Sequence, residues 1–220
     1  MLNSKEREER RKQLGASEIY KLSNFDTLQA QHLWEEKMGK RPHEDLDNIH
    51  ITAGDILEQP CLEYYSKLTG KELIFNERIE SPKIKGLVAS LDARETETNI
   101  PIENKVIGLK SWFAMYAKRK FNSEYMGTKL NIPKAYYLQV QTQIHVLDAP
   151  RGILNFNVLN DEQKENPLMV EVDEFINHPV TIARDDATID EILQRARYMI
   201  WCMEHKRRPR EIEFIRKEIL

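Results

Sequence analysis

A mixed α/β fold, a central β-sheet flanked by helices, is what this sequence predicts. Segments with apolar residues at helical spacing alternate with short apolar-rich runs of strand length, in the order helix–helix–strands–helix–strands–helix. No repeat, low-complexity tract or long Pro/Gly linker interrupts the 220 residues. A single domain over 1–220, large enough to bury one core, is therefore expected.

Along the chain, a helix is expected over 17–22 with Ser17 as its cap. Residues 26–40 read as a second helix ending at Gly39, followed by a polar loop over 41–48. From 52 to 68, Leu57, Cys61, Tyr64 and Leu68 recur at helical spacing, Glu58 borders that stripe, and Gly70 supplies the stop. Residues 73–80, 84–92 and 100–107 read as strands, with a polar hairpin loop over 94–99. A helix begins near Ser111, and a longer one covers 133–147. The latter carries Tyr137, Val140, Ile144 and Leu147 on an apolar face and Gln139 and Gln143 on a polar one. Residues 152–159 and 167–172 read as a strand pair joined by the polar 160–166 loop. Thr188-Ile189-Asp190-Glu191 is a capping box opening a last helix, with Ile189, Ile192, Ala196, Ile200 and Met203 inward and Pro209 as its end.

Composition narrows the functional classes. Hydrophobic residues at 40% and charged residues at 31% indicate a soluble globular protein. No apolar run approaches a membrane span, and the N-terminus lacks the apolar segment of a secretory signal, so a cytoplasmic location is the default expectation. Cys61 and Cys202 are expected in the core, too few for a disulfide framework or for the four ligands of an iron–sulfur cluster. The histidines at 32, 43, 50, 145, 178 and 205 show no zinc spacing. The net charge is −3, yet Lys and Arg cluster at 7–12, 118–120 and 206–208. Such runs are solvated surface in most proteins, but beside a phosphodiester-cutting site they would line a groove for nucleic acid.

Asp92 and Glu103-Asn104-Lys105 point to that site. Glu103 and Lys105 are two apart in a strand, so both leave the same face, and a neighbouring strand ending at Asp92 can bring a second carboxylate beside them. A polar triplet inside an apolar strand is costly to bury unless a metal or counter-charge compensates. Two carboxylates bind a hard divalent cation such as magnesium, and the lysine can orient or activate water. Taken singly, Asp92 also fits a hairpin turn and Glu103 with Lys105 a surface ion pair.

The wider pattern resembles the PD-(D/E)xK (restriction-endonuclease-like) nucleases, and within them the YqaJ-type viral recombinases, the phage lambda exonuclease family. It runs from Arg10 with Gly15-Ala16-Ser17-Glu18, through Gly54-Asp55-Ile56-Leu57-Glu58, Ser90-Leu91-Asp92 and Glu103-Asn104-Lys105, to Tyr136-Tyr137-Leu138-Gln139-Val140-Gln141. Leu91 stands where the superfamily usually has proline, a position that shapes backbone and does not ligate metal. The resemblance implies a metal-dependent exonuclease acting 5′→3′ on linear duplex ends, yielding mononucleotides and 3′ single-stranded tails for recombination by strand annealing. It implies Mg2+, replaceable by Mn2+, held by Asp92, Glu103, the Asn104 carbonyl and Glu58. Lys105 would act on the attacking water or on phosphate charge, Gln139 would orient groups around the scissile phosphate, and Arg10 with Ser17 would bind a terminal 5′-phosphate. A single-strand annealing protein and a ring-shaped homo-oligomer, a trimer, are the implied partners. Two other readings remain open: a structure-specific or restriction-type endonuclease, and a DNA-binding module on a degenerate nuclease fold.

Overall fold

The computed structural model describes residue 8 and residues 10–42, 49–117, 123–124 and 130–215. Among the described residues seven strands form one mixed sheet, in the order β1-β3-β4-β6-β7-β5 with β2 on the far side of β3. They are β1 (Leu14–Gly15), β2 (Leu73–Glu80), β3 (Leu87–Glu95), β4 (Pro101–Gly108), β5 (Ser123–Glu124), β6 (Arg151–Leu159) and β7 (Asn177–Ala183). The helices are α1 (Leu28–Lys37), α2 (Ile49–Thr69), α3 (Leu109–Ala117), α4 (Lys134–Leu147), α5 (Asp161–Glu165), α6 (Asp186–Glu204) and α7 (Glu211–Ile215), with a 3-10 segment over Ala16–Ser23.

The alternation along β6 shows how the layers are built. Phe156 and Val158 join the large cluster with Val140 and Ile144 of α4, whereas Ile153 and Leu159 pack on the α2 side with Leu62 and Leu57. Residues two apart share a face, so β6 is a buried middle strand with helices on both sides, parallel to β4 and antiparallel to β7. On the far side of α4, α6 buries Ile189, Ile192, Ala196 and Ile200, as the helical period requires.

Several boundaries differ from expectation. The 167–172 strand is not formed: Pro167–Met169 is a 3-10 turn, and the partner of β6 is Asn177–Ala183. Proline at 167 removes the N–H that a ladder there would need, and Asp173 instead caps the turn that leads into β7 through the N–H groups of Phe175 and Ile176. Ser17 is not a cap; Gly15 holds that position, its N–H donating to Glu18 Oε2 at 2.7 Å. Thr188 is not the cap of α6 either, since Asp185 accepts from the Thr188 N–H at 3.1 Å. That helix stops at Glu204, ahead of Pro209, where Lys206 turns left-handed at φ 54°. Strand β3 runs three residues past Asp92, so the hairpin loop is shorter than read. Gly39 (φ 68°) and Gly70 (φ 69°) do stop their helices in the conformation only glycine adopts freely.

Candidate active site

Strand β3 has two edges, and their occupation creates the site. Strand β2 runs along one edge from Val88 to Glu95. The other is shared: β1 pairs in parallel with Leu87 and Val88, while β4 pairs antiparallel only at Ala93↔Ile102 and Arg94↔Pro101. Between them the sheet splits. In that register Asp92 and Glu103 would be the next opposed pair, but the ladder has ended, and the Asp92 side chain reaches across the gap. Its Oδ2 accepts from the Asn104 N–H at 2.7 Å, replacing the missing backbone bond.

Glu103 is buried, 2% exposed, and is held by three donors. Lys105 Nζ lies 2.5 Å and Gln139 Nε2 2.7 Å from Oε1, and Gln143 Nε2 donates to Oε2. The two glutamines are four apart on α4, hence on one face of that helix. Gln143 also donates to the Ser90 carbonyl at 3.4 Å. Glu58 approaches from α2. Burial and then the negative charges of Glu103 and Asp55 raise its pKa, against a lowering by Lys105.

The electrostatics of this cluster are those of carboxylates short of positive charge. Burial first, and then the charge of Glu103, push the Asp92 carboxyl up to about 8; the Asn104 N–H and Lys105 oppose the rise, and Glu58 adds to it. Burial pulls the Lys105 pKa down, but Glu103, its hydrogen bond and Asp92 outweigh that, so the ammonium is held above its ordinary value. Its Nζ also sits 5.4 Å from the ring centre of Tyr136. The donor set therefore fits a divalent cation, whose charge would relieve the Glu58, Asp92 and Glu103 repulsion. Among the described residues no three His, Cys, Asp or Glu side chains form a group that could hold an ion. The protein's share would be one or two carboxylates and a carbonyl, with water completing the shell, which is how magnesium is commonly bound.

A cleft of about 880 Å³ opens at the split, and Asp92, Ser90 and Gln139 line it. So do Arg10, Arg11, Ser17, Lys21, Lys37 and Arg78. Lys37, paired with Glu18 at 2.7 Å, donates to the Arg10 carbonyl at 3.2 Å and so ties the N-terminal segment to the end of α1. Arg10 and Ser17 are exposed, with their side chains available to this space. The structure thus brings Arg10, Ser17, Asp92 and Gln139 to one cleft and Glu58, Asp92, Glu103 and Lys105 into one electrostatic cluster. Of the basic clusters, 7–12 contributes Arg10 and Arg11 to the cleft wall, and Lys206, Arg207 and Arg208 are not among its lining residues. Arg207 pairs with Glu213, and Arg208 with Glu35 and Gln31, while 118–120 lie outside the described residues. Sequence reasoning placed Gln143 on the polar face beside Gln139 without giving it a role at the site; the four-residue spacing was the available signal.

The profile of the YqaJ-like viral recombinase domain matches residues 7–150, which include Arg10, Ser17, Glu58, Asp92, Glu103, Lys105, Gln139 and Gln143. The chain belongs to that family. Among solved structures, this YqaJ-like chain is similar to an alkaline exonuclease from Laribacter hongkongensis, at 20% identity and TM-score 0.67 over 95% of this chain and 94% of that one. That enzyme in complex with dAMP matches at 21% identity and TM-score 0.67, over 98% and 97%. A phage-related exonuclease from Haemophilus somnus 129PT matches at 15% identity and TM-score 0.61, over 88% and 96%. At these identities the likeness is one of fold, a mixed sheet flanked by helices. No curated protein matches the chain in sequence. No described helix is long and apolar enough to cross a membrane.

Proposed function

We propose that residues 1–220 form a single nuclease domain, a divalent-metal-dependent exonuclease that degrades linear double-stranded DNA 5′→3′ from its ends and leaves 3′ single-stranded tails for strand annealing. The observation that carries the reading is the cleft at the split in the sheet. It puts the cationic and hydroxyl groups of Arg10 and Ser17 and the carboxylate of Asp92 on the walls of one space. A terminal phosphate held by Arg10 would leave the adjoining phosphodiester beside Asp92 and Gln139.

Asp92 and Glu103, with the Asn104 carbonyl, are the residues that would hold the cation, and Glu58 would complete its surroundings directly or through water. When bound, magnesium, or manganese in its place, lowers the pKa of the attacking water and polarises the phosphoryl oxygen. Gln139 and Gln143 orient Glu103. Lys105, with Nζ 2.5 Å from Glu103 Oε1, would position and help deprotonate the attacking water, or offset charge building on the phosphate. The guanidinium of Arg10 binds a 5′-phosphate in bidentate fashion, with the Ser17 hydroxyl beside it. A single-strand annealing protein is the partner this product calls for, and a ring-shaped trimer would keep the enzyme on its strand.

Digestion of linear duplex labelled at one 5′ or one 3′ end, with magnesium or with chelator, tests the reading. Early release of 5′ label, dependent on the ion, is expected. Early release of 3′ label reverses the polarity, cutting of a covalently closed circle makes the chain an endonuclease, and an intact duplex leaves only a binding module.

A further inference from the structure

Behind the candidate site runs a line of buried asparagines. Asn104 of β4 stands opposite Asn155 of β6, and Asn157 of β6 opposite Asn177 of β7. All four are buried, Asn155 and Asn157 completely. Their side chains lie on the α2 side of the sheet, among Ile102, Ile153 and Leu159. Asn104 Oδ1 accepts from Asn155 Nδ2 at 3.1 Å and from Asn157 Nδ2 at 2.7 Å. Asn157 Oδ1 accepts from Asn177 Nδ2 at 2.8 Å, and Asn177 Nδ2 reaches the Cys61 carbonyl of α2 at 3.4 Å. Cys61 is one helical turn from Glu58.

This arrangement costs stability. A buried carboxamide is desolvated, and the Asn155 and Asn177 oxygens accept no hydrogen bond among the described residues. Apolar side chains of similar shape would fill a surface already lined by isoleucine and leucine. What the amides supply in return is a fixed position for Asn104. Its peptide lies where the β3–β4 ladder has ended, and its N–H is the group that holds Asp92. With no strand on that edge to fix it, the peptide is fixed from behind, through its side chain. The same line ends on α2, the helix that carries Glu58. Asn155, Asn157 and Asn177 all lie beyond the residues matched by the family profile, so the family likeness assigns them nothing.

We infer that Asn155, Asn157 and Asn177 are positioning residues which, through Asn104, set the divalent-ion affinity of the Asp92–Glu103 pair and its placement relative to Glu58. The inference rests on the metal-dependent reading above. Groups that hold metal ligands in place alter ion affinity or activity about 10- to 100-fold when removed. The test uses Asn157→Leu and Asn177→Leu, which keep side-chain shape and remove the amide. Three quantities are read: magnesium affinity by titration calorimetry without DNA, kcat and KM on linear duplex, and Tm in chelator. Magnesium binding weaker by about tenfold or more is expected, with kcat reduced at limiting ion, restored toward wild type at high magnesium, and KM for DNA unchanged. Wild-type ion affinity and kcat in these variants, whatever their Tm, would overturn the inference and leave the amides a packing feature. If Asn157→Leu does not fold, Asn177→Leu at the outer end of the line decides by the same criterion. Failure of the wild type itself to bind magnesium or cut DNA would instead sink the metal-dependent reading.

Discussion

Asp92→Asn should abolish activity and at the same time stabilise the metal-free protein. The substitution keeps an oxygen for the Asn104 N–H at 2.7 Å and removes the charge that burial and Glu103 oppose. A carboxyl moved from its usual 3.8 to about 8, at about 1.36 kcal/mol per pKa unit, sets a ceiling of roughly 6 kcal/mol on what ionising it costs the fold. Relaxation and water entering the cleft lower that figure, and we expect a gain of about 1–3 kcal/mol at pH 8, each kcal/mol being roughly 2–4 °C in Tm at this size. The sign follows from proton counting. Between about pH 4 and pH 8 native Asp92 keeps a proton that the unfolded chain has released, so wild-type stability falls as pH rises through that window. The advantage of Asp92→Asn therefore grows with pH. Saturating magnesium should reverse the order, because an ion at about 1,000 times its Kd adds about 4.1 kcal/mol to the wild type alone. Thermal melts from pH 5 to 9, in chelator and in magnesium, are the assay. A variant less stable than wild type in chelator at pH 8, or a gain that does not grow with pH, would refute the reasoning.

Three further outcomes are expected. Gln143→Ala removes the donor to the buried Glu103 Oε2 and to the Ser90 carbonyl, and urea unfolding should show a loss of about 2–3 kcal/mol; a neutral substitution would mean that Gln139 and Lys105 hold Glu103 alone. Arg10→Ala should erase most of the preference for a 5′-phosphorylated over a 5′-hydroxyl duplex, read as the ratio of digestion rates, and an unchanged ratio would reduce Arg10 to general contact with the DNA backbone. A Cβ at Gly152 would meet Val140 Cγ1 at 2.6 Å and Ile144 Cγ1 at 3.2 Å, both on buried, branched side chains. Gly152→Ala should therefore destabilise by about 1–3 kcal/mol in a thermal melt and lower activity by shifting the helix that carries Gln139 and Gln143; a variant with wild-type Tm would show that α4 moves freely on β6.

What the sequence by itself determined was local and periodic. The apolar faces of α4 and α6, the existence of α2, the glycine stops at 39 and 70, and the strand bearing Glu103 and Lys105 were legible, because helix and strand periods and left-handed turns are properties of short segments; on α2 the buried stripe turns onto Leu62 and Tyr65, and Leu68 is exposed. Family membership was legible for the same reason, since its motifs are short and ordered. Choices between neighbouring candidates were not. Gly15 rather than Ser17, and Asp185 rather than Thr188, take the cap positions because the chain's entry angle decides where the helical turn begins: the Gly15 N–H donates to Glu18, and the Asp185 carboxylate accepts from the Thr188 N–H. The partner of β6 is 177–183 and not 167–172 for a related reason. Nearby apolar stretches compete for one sheet edge, and proline with a capping aspartate settles the competition only once the edge exists. The tertiary structure alone decided that β3 is shared by β1 and β4. That sharing opens the gap between Asp92 and Glu103, gathers Arg10 and Ser17 to its mouth, and gives Gln143 and the asparagine line their place, because strand pairing joins residues whose separation in the chain carries no sequence signal.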